Sequence, residues 1–139
     1  MKIVIDTNIF VSSFFGGKPK KIIDLWKKGD VILCLSGEIL EEYVEVLNRL
    51  GFKDEKELKE LLALFAGNVN ISFTKKTPKL HIVEEDPDDN KFIECAVALH
   101  ASHIITGDKA LKAIESYMGI EILTPHQFLE QKEHEDGKC

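Results

Sequence analysis

Five short runs of β-branched and aliphatic residues, separated by stretches with helical periodicity, constrain this chain more than any other feature. The runs are Lys2 to Asp6, Val31 to Leu35, Val69 to Phe73, His103 to Thr106 and Ile120 to Leu123. Strands joined through helices call for right-handed crossovers and a parallel sheet covered on both faces. The expected architecture is therefore an α/β fold with a central, mainly parallel sheet between helical layers.

The intervening segments carry helix signals of their own. Lys20 to Lys28 places Ile22, Ile23, Leu25 and Trp26 at mostly helical spacing, and Gly29-Asp30 closes it. Ser36 is a suitable N-cap for a helix running to about Leu50 and stopped by Gly51. Asp54 to Ala66 sets Leu58, Leu61, Leu62 and Phe65 on one face before Gly67. Asp86-Pro87 reads as an N-cap followed by proline at the first helical position, opening a helix to about His100. Gly107-Asp108 turns into a helix expected to reach Met118, and Pro125 begins a final short one. Thr74 to Leu80 is a loop, and Leu80 to Val83 stays unassigned.

With 139 residues the chain suits one domain, here residues 1–130, followed by a charged tail at 131–139 that is expected to be disordered. At this size a single core buries roughly 68–70% of the unfolded surface. The opening Met1-Lys2-Ile3-Val4-Ile5 is too short for a signal peptide, and nowhere do about 18 apolar residues run together, so a cytoplasmic, non-membrane protein is expected. Three cysteines at unrelated spacings argue against a disulfide framework or a zinc site; Cys34 and Cys95 read as small buried hydrophobes, and Cys139 as a tail residue. A net charge of −6 excludes nucleic-acid binding by sheer basicity. Any phosphate chemistry would need a metal to bring the anion in.

Acidic residues recur where strands should turn into helices: Asp6, Glu42, the run Asp86 to Asp89, and Asp108. In parallel sheets ligands gather beyond the carboxyl ends of the strands, so one crevice could collect all four. Carboxylates brought together repel, and either a raised pKa or a bound cation relieves them. Oxygen-only ligands favour Mg²⁺ or Mn²⁺ over Zn²⁺, and the five histidines show no zinc spacing; His81, His100 and His103 read as ordinary residues.

Each acid also has a structural reading. Asp6 and Asp108 could simply cap the segments that follow them. Glu42 borders the apolar stripe of Leu40, Tyr43, Val44 and Leu47, between Ile39 and Val46, and so needs a partner that could equally be a lysine. Glu41 and Glu45 belong to the solvated side, and Glu38 complements the helix dipole. Asp86 reads as the N-cap, Asp88 as solvated, and Asp89, one turn before Phe92, Ile93 and Ala96, as the preferred ligand of that run.

Ile5-Asp6-Thr7-Asn8, Ser36 with Glu42, Asp86-Pro87-Asp88-Asp89-Asn90-Lys91-Phe92, Thr106-Gly107-Asp108, and the closing Leu123-Thr124-Pro125 and Phe128-Leu129 occur in an order that resembles the PIN-domain nucleases. The similarity spans about residues 1–130 and is strongest to the branch of toxin–antitoxin toxins related to the VapC ribonucleases. It implies a three-layer α/β/α sandwich and a Mg²⁺ or Mn²⁺ site. By matching motifs the metal-binding acids fall on Asp6, Glu42, Asp89 and Asp108, with Asn8 and Thr106 at polar positions near the site.

The resemblance further implies an endoribonuclease that leaves 5′-phosphate and 3′-hydroxyl ends, an antitoxin partner, and a homodimer. RNA outside the metal site would need cations, for which Lys18, Lys20 and Lys21, or Lys75, Lys76 and Lys79, are available. A haloacid-dehalogenase-like phosphatase would want an Asp where Asn8 stands, and a receiver domain an acidic pair after the first strand; neither is present. A PIN-like scaffold that binds RNA or protein without cutting is the remaining alternative.

Overall fold

A computed structural model describes residues 1–51 and 56–136. The elements run β1 (Lys2–Ile5), α1 (Thr7–Ser12), α2 (Gly17–Lys28), β2 (Ile32–Ser36), α3 (Gly37–Arg49), α4 (Lys56–Ala66), β3 (Ile71–Thr74), α5 (Asn90–Leu99), β4 (His103–Ile105), α6 (Lys109–Lys112), β5 (Ser116–Tyr117), β6 (Ile120–Leu123) and α7 (Pro125–Asp136). One sheet has the order β3-β2-β1-β4-β6-β5, parallel throughout except for the β5–β6 pair. Ile3, Val4 and Ile5 are all fully buried although successive strand residues face opposite sides. Both faces of the sheet are therefore covered, giving the three-layer α/β/α sandwich expected of this strand pattern.

The strand order decides where a ligand can sit. From β1 the chain proceeds outward to β2 and β3, then returns to place β4 on the other side of β1, so the order reverses between β1 and β4. Ile5 and Ile105 are register partners, and the Asp6 backbone N–H donates to the Ile105 carbonyl at 3.0 Å. The residues just past these strands, Asp6 and Thr106, consequently emerge side by side at the switch point.

Caps set the helices that flank it. Asp6 caps α1, a short helix that the sequence reading did not assign, and Ser36 caps α3 through its hydroxyl, which accepts from Ile39 N–H at 3.2 Å. Tyr43, on α3, is fully buried, stacks on Phe10 with ring centroids 4.1 Å apart, and donates its hydroxyl to the Ile5 carbonyl. The end of β1 is thereby tied to α1 and α3 together. Trp26, buried on α2, donates its indole N–H to the Val69 carbonyl at 3.0 Å and holds the approach to β3.

Several expectations change in the folded chain. Asp86 makes no cap: its side chain has no hydrogen bond to the turn, Pro87–Asp89 forms a 3₁₀ turn, and α5 starts only at Asn90. Asn90 does the local work, accepting from Ile82 and Val83 N–H at 2.9 Å and donating to the Pro87 carbonyl at 3.0 Å, which pins the unassigned 80–83 segment as coil. The helix expected to reach Met118 stops at Lys112, because Glu115 and Met118 take left-handed backbone angles (φ 64° and 49°) and a turn through Gly119 lets β5 pair with β6. Val44 and Leu62, expected on apolar stripes, are exposed. Helix α7 runs on past Glu130 to Asp136. The start expected at Asp54, and Cys139, lie outside the described residues.

Candidate metal centre

Asp6, Asn8, Glu42, Asp89 and Asp108 all line one open crevice of about 620 Å³ at the switch point, together with Thr7, Asp86, Asp88, Lys91 and residues of α3. Thr106 is fully buried beneath it. The four acids of the motif are thus brought to one place by four different segments: the end of β1, the face of α3, the turn before α5, and the end of β4.

Each acid is fixed by its local backbone. Asp6 is buried; Oδ1 accepts from Ile9 N–H at 2.9 Å as the cap of α1, and Oδ2 accepts the Thr106 hydroxyl. The same Thr106 oxygen accepts the Asp108 N–H at 3.0 Å, and Asp108 Oδ2 accepts from Leu111 N–H at 3.1 Å as the cap of α6. Capping and lining the crevice are therefore compatible: each aspartate spends one or two acceptor positions on the backbone or its neighbour and keeps the rest for the crevice.

The tightest grouping differs from the four-acid set. Among the described residues, Asp86, Asp89 and Asp108 offer oxygens that all lie within 4.8 Å of one another. Asp86, which the sequence reading assigned to capping, belongs to this triad, and Asp6 and Glu42 do not. Glu42 is instead engaged twice, accepting the Thr7 hydroxyl and the Lys91 ammonium. Lys91 also reaches Asp88 at 3.1 Å, so the exposed Asp88 is paired with a cation rather than merely solvated.

Burial and charge repulsion both act on the carboxyls of the crevice. Burial, more than anything else, pushes the Asp89 carboxyl up to about 8, with further contributions from a side-chain hydrogen bond with Asp108 and from the negative charges of Asp108, Asp86 and Asp6. Asp89 Oδ2 is buried without a hydrogen-bond donor. Asp6 is also raised, by burial first, and Asp108 and Glu42 add to it, while the hydrogen bonds from Thr106 and Ile9 pull the other way. Burial would lower Lys91, but its hydrogen bonds to Glu42 and Asp88 outweigh that and hold it charged.

These observations fit a divalent cation. A buried carboxylate oxygen with no donor, facing two more carboxylates, is a position that a cation would satisfy. The donors are oxygens, suited to a hard ion. Asp86, Asp89 and Asp108 could hold such an ion, with Asp6 flanking them.

Sequence reasoning gave Lys91, Thr7 and Arg49 no role, and read Glu41 and Glu45 as solvated and Glu38 as a partner of the helix dipole, although all of them line the crevice. Positions 38, 41, 42, 45 and 49 fall at three- and four-residue steps along α3, so the stripe they form was readable from spacing. Lys91 had a weaker signal, its position three residues after Asp88. Lys18, Lys20, Lys21, Lys75 and Lys76 are exposed, and Lys20 pairs with Asp24 at 3.3 Å. Lys79 pairs at 3.2 Å with Glu38 on the crevice wall. His81 and His100 are exposed, while His103 is buried between Ser102 and Gln131. Cys34 and Cys95 are buried free thiols, raised by burial to about 11 and about 12.

A parallel α/β sandwich with an acidic crevice at its switch point defines an α/β protein with a candidate divalent-cation site. A PIN-domain family model matches residues 2–110, and the chain belongs to the PIN-domain family, a family of nucleases that generally use divalent metals. It is similar to an uncharacterized protein of Methanocaldococcus jannaschii, 32% identical over 159 aligned residues that cover 96% of this chain and 92% of that protein. Among the described residues no helix is long and apolar enough to cross a membrane.

Proposed function

We propose that this chain is a Mg²⁺- or Mn²⁺-dependent endoribonuclease that hydrolyses RNA to 5′-phosphate and 3′-hydroxyl ends, and that it acts as the toxin of a toxin–antitoxin pair. The single observation that carries the hydrolytic reading is Asp89 Oδ2, buried without a donor beside Asp86 and Asp108. What a divalent ion supplies there, when bound, is a water acidified toward neutral pH and positive charge against the leaving 3′ oxygen.

The chain's own residues do the rest. Thr106 holds Asp6 and the Asp108 backbone in fixed relation, so the acids on the two sides of the switch point keep their spacing. Asn8, exposed on the rim in the first turn of α1, offers an amide N–H to a phosphate oxygen or a ribose hydroxyl. Lys79, paired with Glu38 on the wall, and Arg49, which lines the crevice, supply cations for the phosphates on either side of the scissile one. With a net charge of −6, capture of RNA depends on these few groups and on the metal.

The test is cleavage of labelled single-stranded RNA with Mn²⁺, repeated with EDTA and with Asp6→Asn. Loss of cleavage in both is expected, and activity that survives either would point to a contaminant. The scaffold alternative draws on the Glu42–Lys91 pair, which neutralises one acid of the motif; RNA that is bound but never cut with Mg²⁺ or Mn²⁺ would favour it. The toxin role, the homodimer and the antitoxin rest on the family resemblance. An upstream reading frame for a small protein with a DNA-binding N-terminus, whose co-expression inhibits cleavage, would support them.

A further inference from the structure

The negative charge of the crevice is divided unevenly, and one side chain draws the line. Lys91 puts its ammonium among the acids with only 10% of its side chain exposed, paired with Glu42 and, at 3.1 Å, with Asp88. Glu42 meets the Thr7 hydroxyl with its other oxygen, so both of its oxygens already have donors. Among the described residues Asp86, Asp89 and Asp108 form no ion pair with a lysine, and Asp89 Oδ2 is buried without a donor.

We propose that Lys91 is the internal counter-cation of this crevice, a positioning residue that withdraws Glu42 from ion binding and limits the resting site to a single divalent cation on the Asp86, Asp89 and Asp108 side. The inference rests on the reading of the crevice as a divalent-metal site, and it goes further by assigning how many ions that site takes and which acid is excluded. Glu42 can ligate an ion only by giving up a largely buried ion pair, which leaves an uncompensated ammonium behind. A second divalent ion would also have to approach that ammonium against repulsion. A tethered lysine thus occupies the place that a second dissolved cation would otherwise fill.

Mn²⁺ titration of the full chain, read by the electron paramagnetic resonance of free Mn²⁺ and by calorimetry, tests this without recourse to activity. The wild type should take up one ion, and Asp89→Asn should lose it. Lys91→Met should either bind a second ion or bind the first about tenfold tighter, because a nearby positive charge is gone. The double variant Lys91→Met/Glu42→Gln removes both charges of the pair, and should return to one ion within about twofold of wild-type affinity, as expected if Glu42 shares no partner with the ion.

Unchanged or weaker binding in Lys91→Met would overturn the proposal, as would a loss of about tenfold or more in the double variant, which would make Glu42 a ligand. The double variant replaces an ion pair by neutral groups of similar size, so it decides the matter alone should Lys91→Met fail to fold. If the wild type bound no Mn²⁺, or Asp89→Asn bound as well as wild type, the metal-site reading itself would be what failed.

Discussion

Thr106 donates its hydroxyl hydrogen to Asp6 Oδ2 and accepts the Asp108 N–H on the same oxygen, from a position with no solvent exposure. One buried side chain thereby sets the relation between acids from β1 and β4. Thr106→Val keeps the shape and deletes both bonds, leaving the half-buried Asp108 N–H and the buried Asp6 carboxylate oxygen short of partners. It should cost about 1–3 kcal/mol in chemical denaturation and lower cleavage about 10–100-fold, while Thr106→Ser stays near wild type. Cleavage unaltered by Thr106→Val would show that the hydroxyl orients neither acid.

Asp89 predicts an unusual pH dependence. Its carboxyl, ordinarily near 3.8, is raised to about 8, so between those values the folded chain binds more protons at this site than the unfolded chain. Stability of the metal-free protein should then fall as pH rises through that window, since unfolding free energy decreases wherever the folded state holds the extra proton. Thermal melts in EDTA from about pH 5 to about pH 8 should show the decline, Asp89→Asn should flatten it, and Mn²⁺ should stabilise more at the upper end, where it no longer competes with the proton. A melting temperature that climbs with pH in EDTA would contradict this.

Asp6 has two jobs that substitutions can separate. Asparagine is as good an N-cap as aspartate and can still accept from Ile9 N–H, so Asp6→Asn should melt close to wild type and yet cut RNA orders of magnitude more slowly. Asp6→Ala removes the cap as well and should lose about 1 kcal/mol or more. Equal melting temperatures for the two variants would mean that the cap contributes nothing.

Tyr43 carries a polar atom in the core solely for the Ile5 carbonyl, one residue before Asp6. Tyr43→Phe keeps the ring stacked on Phe10 but strips that carbonyl of its side-chain donor, at a cost of about 1–3 kcal/mol. Denaturant unfolding should detect it, and Mn²⁺ affinity should change little, because Asp6 remains held by Thr106 and Ile9. A large loss of metal binding would instead place the Tyr43 bond among the determinants of the site.

The parts of this protein that were readable residue by residue are those governed by local physics. β-branched runs such as Ile3-Val4-Ile5 and Ile120-Glu121-Ile122 declared strands, Ser36 declared the start of α3, and acids at strand ends declared a crevice, because propensity, capping and the carboxyl-end rule act over a few residues. Misreadings came where local signals tie. Lys109 to Met118 has helical composition throughout, and only the pairing of Ser116–Tyr117 with β6 decides that the helix stops early. Pro87 marked Asp86 as a cap and helical spacing marked Asp89 as a ligand, yet the folded chain brings both carboxylates into one group with Asp108.

By itself the order of residues determined the α/β class and the arrival of Asp6, Glu42, Asp89 and Asp108 at one end of the sheet. Tertiary structure alone decided how those acids divide: Asp86, Asp89 and Asp108 within reach of a common ion, Glu42 held by Lys91 and Thr7, and Asp6 locked to Thr106. The reason is range. A helix start or a strand is specified by neighbours along the chain, whereas a carboxylate's partner is whichever donor or charge the packing of distant segments brings within about 4 Å, and electrostatic energy depends on that distance and on burial.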